Sequence, residues 1–296
     1  ILFNSGSDDT SIITRAVLRY SGDSNGLGGI NEGAITLSNA SPNLSYITFE
    51  NNYINGVHIP AGTWQTDTWD NTTVIYVIEG GKITIPAANT LTIVPGMKIK
   101  MTASSNYYNV SFIVDGKLMA VGTKDNPIYF SSYLDDTLCG IGASDEVICD
   151  SHNDGPSAGI IGNWGTIQFN SGSDDASSIS RVIMRYSGRV SLSISQGPIT
   201  LSNASPNLSY ITFENNYING VDLVAGAWQT DTWDNTTVIY VIEDGSVTIP
   251  AANTLTIAPG MKVKLNGTSL AVDGKFVASG TSANPVFFSS KKDDSL

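Results

Sequence analysis

The chain has 296 residues, a formal net charge of −12 and an isoelectric point near 4.4. That balance argues against nucleic acid and against an anionic membrane surface as partners, because both select Lys and Arg. Only 14% of residues are charged, so Ser, Thr, Asn and Gly must cover the surface, a habit of secreted proteins; no apolar run approaches the ~20 residues of a membrane span.

The chain opens on ILFNSGSDD, Ile1–Asp9, with no initiator Met, and the phrase returns as IQFNSGSDD at Ile167–Asp175. The segment is therefore expected to lie inside something longer. TRAVLRYSG follows, and SRVIMRYSG answers it. Arg15 and Arg19, like Arg181 and Arg185, are four apart, which in one extended strand puts both on one face. Pairing with acidic residues on a neighbouring strand is the expectation; an outward pair would instead suit carboxylate or sulfate groups of a glycan. ITLSNASPNLSYITFENNYINGV at Ile35–Val57 recurs at Ile199–Val221. WQTDTWDNTTVIYVIE recurs unchanged from Trp64 to Trp228, an offset of 228 − 64 = 164. TIPAANTLTI recurs at Thr84 and Thr248, and KDNPIYFSSYLDD at Lys124 is answered by SANPVFFSSKKDD at Ser282. Small insertions such as SSNYYN, Ser104–Asn109, separate the copies. The organisation is one unit over 1–132, a cysteine-containing linker over 133–163 and a second unit over 164–296.

Within each unit helix signals are nearly absent and strand signals are dense. SYITF, TVIYVI, KITI, TLTIVP, MKIKM, SFIV and PIYF are β-branched, aromatic and alternate with period two, and Asn, Gly, Pro and Asp punctuate them. The class is all-β. Asn55-Gly56, Asp115-Gly116 and Asp273-Gly274 are candidate hairpin turns. The repeated strand–corner–strand order nevertheless favours successive sides of a stacked coil over antiparallel hairpins.

SPNLSYITFENNYINGVHI resembles the short repeat of right-handed parallel β-helix proteins of the pectate-lyase-like superfamily. LTIVPGMKIKM with FIVDGKLMAVGTKDNPIYFSS resembles the coils of large microbial surface proteins of that fold, and NWGTIQFNSGSDDASSISRVIMRYSG, from Asn163, resembles the coil that follows in them. The resemblance implies an all-β right-handed parallel β-helix, a solenoid with both near-identical units in one rod. At ~22 residues and ~4.8 Å per coil, about a dozen coils would make a rod of roughly 60 Å.

Enzymes of that superfamily cleave acidic polysaccharides, using calcium-holding carboxylates with an Arg or Lys base, or grouped Asp near a His. Here the only histidines are His58 and His152, and Asp222 replaces His58 in the second copy. Asp8-Asp9 and Asp174-Asp175 are adjacent, so on a strand they point to opposite faces, a poor acid/base dyad. No catalytic residue is expected. Cys139 and Cys149 read as a short-loop disulfide from an oxidising compartment. DSHNDGPSAG, Asp150–Gly159, resembles a calcium loop in which Asp150 and Asp154 would be ligands, with His152 where an oxygen donor normally stands; otherwise no cofactor is implied. Trp64, Trp69, Trp228 and Trp233, beside Asp67, Asp70, Asp231 and Asp234, are candidate surface contacts for sugar or for self-association, or else corner-closing core residues. Sequons stand at Asn39, Asn43, Asn71, Asn109, Asn203, Asn207, Asn235 and Asn266. The expected function is a non-catalytic extracellular or cell-surface structural segment that self-associates into a filament, tube or sheath. Both termini look like cut points of a continuing array. The alternative is a carbohydrate-binding adhesin or a polysaccharide lyase or hydrolase. Neither reading involves nucleic acid or membrane insertion.

Overall fold

The computed structural model describes residues 1–22, 33–102, 110–190 and 195–296. The SSNYYN insertion and the Asn109 sequon lie outside the described residues. The fold is all-β, with no helix among the described residues, and its sheets are built from extensive parallel pairing.

One ladder of eleven strands runs from end to end. Its rungs are Leu2–Phe3, Ile35–Leu37, Val57–Thr63, Ile75–Ile85, Ser111–Val114, Ile167–Phe169, Ile199–Leu201, Val221–Leu223, Ile239–Ile242, Lys262–Leu265 and Phe287–Ser290, each parallel to the next. Successive partners are close in sequence: Val57↔Tyr76 spans 76 − 57 = 19 residues and Ile199↔Val221 spans 221 − 199 = 22. Several spacings are longer, among them Lys82↔Ser111 at 111 − 82 = 29, Ile167↔Ile199 at 199 − 167 = 32, Leu2↔Thr36 at 36 − 2 = 34 and Phe112↔Ile167 at 167 − 112 = 55. Ten steps of ~4.8 Å cover about 48 Å. This is shorter than the sequence-based length, because loops lengthen several repeats beyond 22 residues.

The Ile75–Ile85 strand serves two ladders. Its first half also pairs Lys98–Met101, which leads on to Ile128–Ser132, Val182–Arg185 and Thr212–Glu214. A third ladder stacks Asp67–Trp69, Thr90–Ile93, Lys117–Val121, Ser178–Ser180 and Asn207–Ser209. Three ladders therefore cross from the first unit to the second, and the units are joined by sheet rather than by a hinge.

Corners between short strands fall on single left-handed residues. Arg15 (φ 49°) separates Ile12–Thr14 from Val17–Arg19, and Arg181 (φ 50°) does the same in the second unit. The arginine pairs thus do not share one strand face, since a corner intervenes. Asn39, Tyr46 and Asn51 (each φ 52°) are matched by Asn203, Tyr210 and Asn215 at φ 53°, 52° and 54°. Left-handed backbone is costly for L-residues, and Asn tolerates it best because its amide bonds locally. Asn39 Oδ1 accepts from the Gln65 N–H at 2.8 Å while its Nδ2 donates to Thr63 O at 2.8 Å. Asp115-Gly116 and Asp273-Gly274 are not hairpins. Each glycine lies where a Cβ would collide with backbone carbonyls, Pro86 and Asn89 in one copy and Pro250 and Asn253 in the other.

Alternation fills the interior. Leu91 and Ile93 are buried while Thr90 and Thr92 are half-buried, and one continuous apolar cluster extends through both units. The four tryptophans belong to it. Trp64, Trp69, Trp228 and Trp233 are only 1–2% exposed, which corrects their reading as surface contacts. Trp69 is in register with Ile93, on the inward side of its ladder. Its ring meets Trp64, Tyr76 and Phe112 edge-on at 5.2, 5.4 and 6.0 Å, and Trp233 meets Trp228 and Tyr240 in the same way. Such pairs add to area burial, so the motif is duplicated because each unit needs the same corner filled.

Candidate functional site

The linker holds a compact loop closed by the Cys139–Cys149 disulfide, with a two-residue antiparallel ladder, Gly140–Ile141 on Val147–Ile148, inside it. Beyond it Asp150 wraps its own turn. Its Oδ1 accepts from the N–H of His152 (3.1 Å) and Asn153 (2.6 Å), and its Oδ2 from that of Gly155 (3.0 Å). Asp150 and Asp154 do come together, and the third carboxylate beside them is Asp136, with one oxygen from each within 4.8 Å of the others. His152 does not join them. Its ring packs edge-on against Tyr53 (5.3 Å) and Tyr133 (4.8 Å), and its Nδ1 is 3.8 Å from Glu79 Oε1. Asp136 precedes the motif by fourteen positions (150 − 136), which is why the calcium-like spacing did not include it. A cation of the protein already stands at this cluster. Lys100 is fully buried, donates to Cys149 O at 2.7 Å and is 3.8 Å from Asp136 Oδ1. Burial pulls its pKa down to about 8, against the attraction of Asp136, Asp135, Asp150 and Asp154. It therefore stays largely protonated at neutral pH and neutralises part of the cluster.

Each arginine of the two pairs finds an acidic neighbour or a ring. Arg19 bonds Glu50 at 2.6 Å, Arg185 bonds Glu214 at 2.8 Å and reaches Asp135 at 3.5 Å, and Arg15 reaches Asp145 at 3.3 Å. Arg15 and Arg181 lie over Tyr46 and Tyr210, each 4.6 Å from the ring centroid. Among the sequons, Asn43, Asn207 and Asn266 are exposed and Asn39 and Asn203 half-buried. Asn71 is buried, and its Nδ2 donates to Pro42 O (3.0 Å) and Tyr76 Oη (2.7 Å); Asn235 repeats both bonds to Pro206 and Tyr240. These two amides hold the fold and are not free to carry glycans, a correction to the sequence reading.

A second site was not singled out from the sequence. A pocket of about 260 Å³ opens on the second unit, lined among others by Gln168, Gln196, Thr200, Asp222, Glu243 and Asp244. Gln168, Thr200 and Asp222 are consecutive rungs of one ladder. The equivalent column of the first unit is Leu2, Thr36 and His58. Glu243 is tied down by Lys291 Nζ (2.5 Å), Asn266 Nδ2 (2.9 Å) and Tyr217 Oη (3.3 Å), and Asp244 accepts from the Ser195 N–H. Asp222 is 5% exposed. Burial raises its pKa to about 8, reinforced by Glu243 and Asp244 and opposed by Lys291 and a hydrogen bond from Thr200. At neutral pH the protonated Asp222 carboxyl therefore stands beside Glu243 and Asp244, an arrangement suited to binding hydroxyl groups or to exchanging a proton. In the first unit burial instead pushes His58 down to about 4, so it is neutral there. The available signal was substitution inside near-identity: His58/Asp222, Gly80/Asp244 and Tyr133/Lys291 differ where their surroundings do not.

No family model, curated protein or solved structure matches this chain. The reading of function therefore rests on the geometry alone.

Proposed function

We propose that the chain is a non-catalytic extracellular structural segment whose ladders close into a right-handed parallel β-helix, and that it works by stacking into a filament, tube or sheath. The observation that carries this is the junction between the units: three strand ladders pass through it and the core continues across it. A repeat joined in this way extends by addition of further equal units. The disulfide agrees with an oxidising compartment. Electron microscopy and light scattering of the purified chain over a wide concentration range test the proposal. Elongated assemblies growing with concentration are expected, and dispersed single rods at the highest concentration would refute it.

One observation favours a second reading, a carbohydrate-binding or carbohydrate-processing surface. Three residues lining the acidic pocket, Gln168, Asp222 and Asp244, stand where the first unit has Leu2, His58 and Gly80. If this reading holds, an acidic or neutral polysaccharide is bound or cleaved and Asp222→Asn abolishes the effect.

A further inference from the structure

The linker is fastened to the first unit at a buried pair of opposite charges. Lys100 lies on strand Lys98–Met101, in register with Ser131 of Ile128–Ser132. Its strand neighbours Ile99 and Met101 belong to the core, so Lys100 projects from the opposite side of the sheet. Its side chain is nevertheless 0% exposed, because the linker covers it. Cys149 O accepts from Lys100 Nζ at 2.7 Å, and Asp136 Oδ1 stands 3.8 Å from the same atom, too far for a hydrogen bond. Asp136 Oδ1 is buried and has no hydrogen-bond partner. Its Oδ2 accepts from the Ser157 N–H at 2.8 Å and from the Ser157 hydroxyl at 3.1 Å. The carboxylate is thus held by one oxygen, and the other faces an ammonium group that it does not bond.

As an ion pair this arrangement is poorly compensated. Burying two charges costs solvation that their attraction repays only with good hydrogen-bond geometry, and a buried acceptor without a donor adds to the cost. Joining the two groups as an amide removes both charges and the orphaned oxygen together. The Lys291–Glu243 pair differs: it is hydrogen-bonded at 2.5 Å, Glu243 has Asn266 as a further donor, and the Lys291 side chain is 23% exposed. That pair is complete as it stands and serves as an internal comparison.

We infer that Lys100 Nζ and Asp136 Cγ condense to an isopeptide bond that staples the linker to the first unit. The step balances without an oxidant or co-reactant, since an ammonium and a carboxylate give an amide and water. One ammonium proton passes to Oδ1, the freed Nζ lone pair attacks Cγ, and the C–N bond forms. Oδ2 carries the negative charge of the tetrahedral stage, where both Ser157 donors already reach it. A second proton leaves Nζ for Oδ1, the Cγ–Oδ1 bond breaks and water departs, with Oδ2 left as the amide oxygen. Asp150 and Asp154 each place a carboxylate oxygen within 4.8 Å of Asp136, so acceptors that ferry these protons stand beside the reacting atoms. The Cys149 carbonyl holds Nζ against the carboxyl group, which makes the encounter intramolecular and oriented. The bond closes a loop of sequence separation 136 − 100 = 36, next to the disulfide loop. It forms within one chain, so its test is independent of assembly.

Intact-mass spectrometry of the full chain tests this. After reduction of the disulfide, the expected mass is one water below that of the sequence, and peptide mapping should place the loss on a branched peptide joining Lys100 to Asp136. Limited trypsin cleavage at the exposed Lys124 should leave two fragments that stay joined on a reducing, denaturing gel. Lys100→Arg keeps the cation, but its guanidinium is not a nucleophile at this pH. Its mass should equal that of its sequence, and its fragments should separate. Asp136→Asn condenses with loss of ammonia in place of water and should reach the same final mass as the parent, a convergence that a plain ion pair does not produce. A full-sequence mass for the folded parent would overturn the inference. So would a water loss that survives in Lys100→Arg, or one that maps to Lys291 and Glu243 or to the Asp154-Gly155 step, where a backbone succinimide also sheds water.

Discussion

Substituting Asp222 by Asn tests the electrostatics of the pocket and gives a magnitude. Asp222 has a folded-state pKa of about 8 against an ordinary value of 3.8. The folded protein therefore keeps a proton that the unfolded chain releases as pH rises above about 4. Stability from this group is complete below that pH, falls through the window between 4 and 8, and levels off above it. At ~1.4 kcal/mol per pH unit over the roughly three units up to pH 7, the carboxyl costs on the order of 4 kcal/mol at neutrality. Asn keeps the shape and an acceptor for Thr200 but does not titrate. With ~2.1 cal/mol/K of unfolding entropy per residue over 296 residues, 4 kcal/mol corresponds to about 6 °C. Differential scanning calorimetry between pH 4 and 9 should show the variant melting with the parent at pH 4, about 6 °C above it at pH 7, and at a constant gap beyond pH 8. A variant that tracks the parent at every pH, or gains toward acid, would refute the reasoning.

The first-unit counterpart should behave with the opposite sign. His58 has a folded pKa of about 4 against 6.5, so its contribution is complete above 6.5 and lost as pH falls, about 3 kcal/mol by pH 4; His58→Gln should flatten the acid limb of the melting profile and leave pH 8 unchanged. Gly116→Ala forces a Cβ against the Pro86 and Asn89 carbonyls and should cost at least ~1–3 kcal/mol in denaturant unfolding, as should Gly274→Ala. Removing the disulfide with Cys139→Ser and Cys149→Ser frees a loop of sequence separation 10 and should cost about 2–3 kcal/mol, read by limited proteolysis within 140–148 at unchanged cleavage elsewhere.

Class and pairing followed from local chemistry. TLTI and SFIV alternate because one side of each is buried, and both are strands; the two cysteines share a loop and are bonded. Tryptophan burial was harder to read, because period two says which residues share a side and not which side faces in. Trp64 and Trp69 read equally well as a platform until Ile93 is seen stacked on Trp69. The arginine spacing misled because a left-handed Arg15 breaks the strand, and nothing in TRAVLRYSG marks that corner. Lys100 meets Asp136 because its strand stacks on Ile128–Ser132, and the loop closed by Cys139–Cys149 brings Asp150 and Asp154 back beside them. The Asp222 pocket depends on substitutions inside near-identical copies; the exchange of His58 for Asp222 is plain in the sequence, but that Asp244 and Lys291 lie close enough to act on it emerges only in the fold.

The most direct measurement is a cryo-electron microscopy reconstruction of the chain at high concentration. The expected result is elongated assemblies in which a ladder of ~4.8 Å rungs runs on beyond the length of a single copy. Dispersed single rods at every concentration would contradict it.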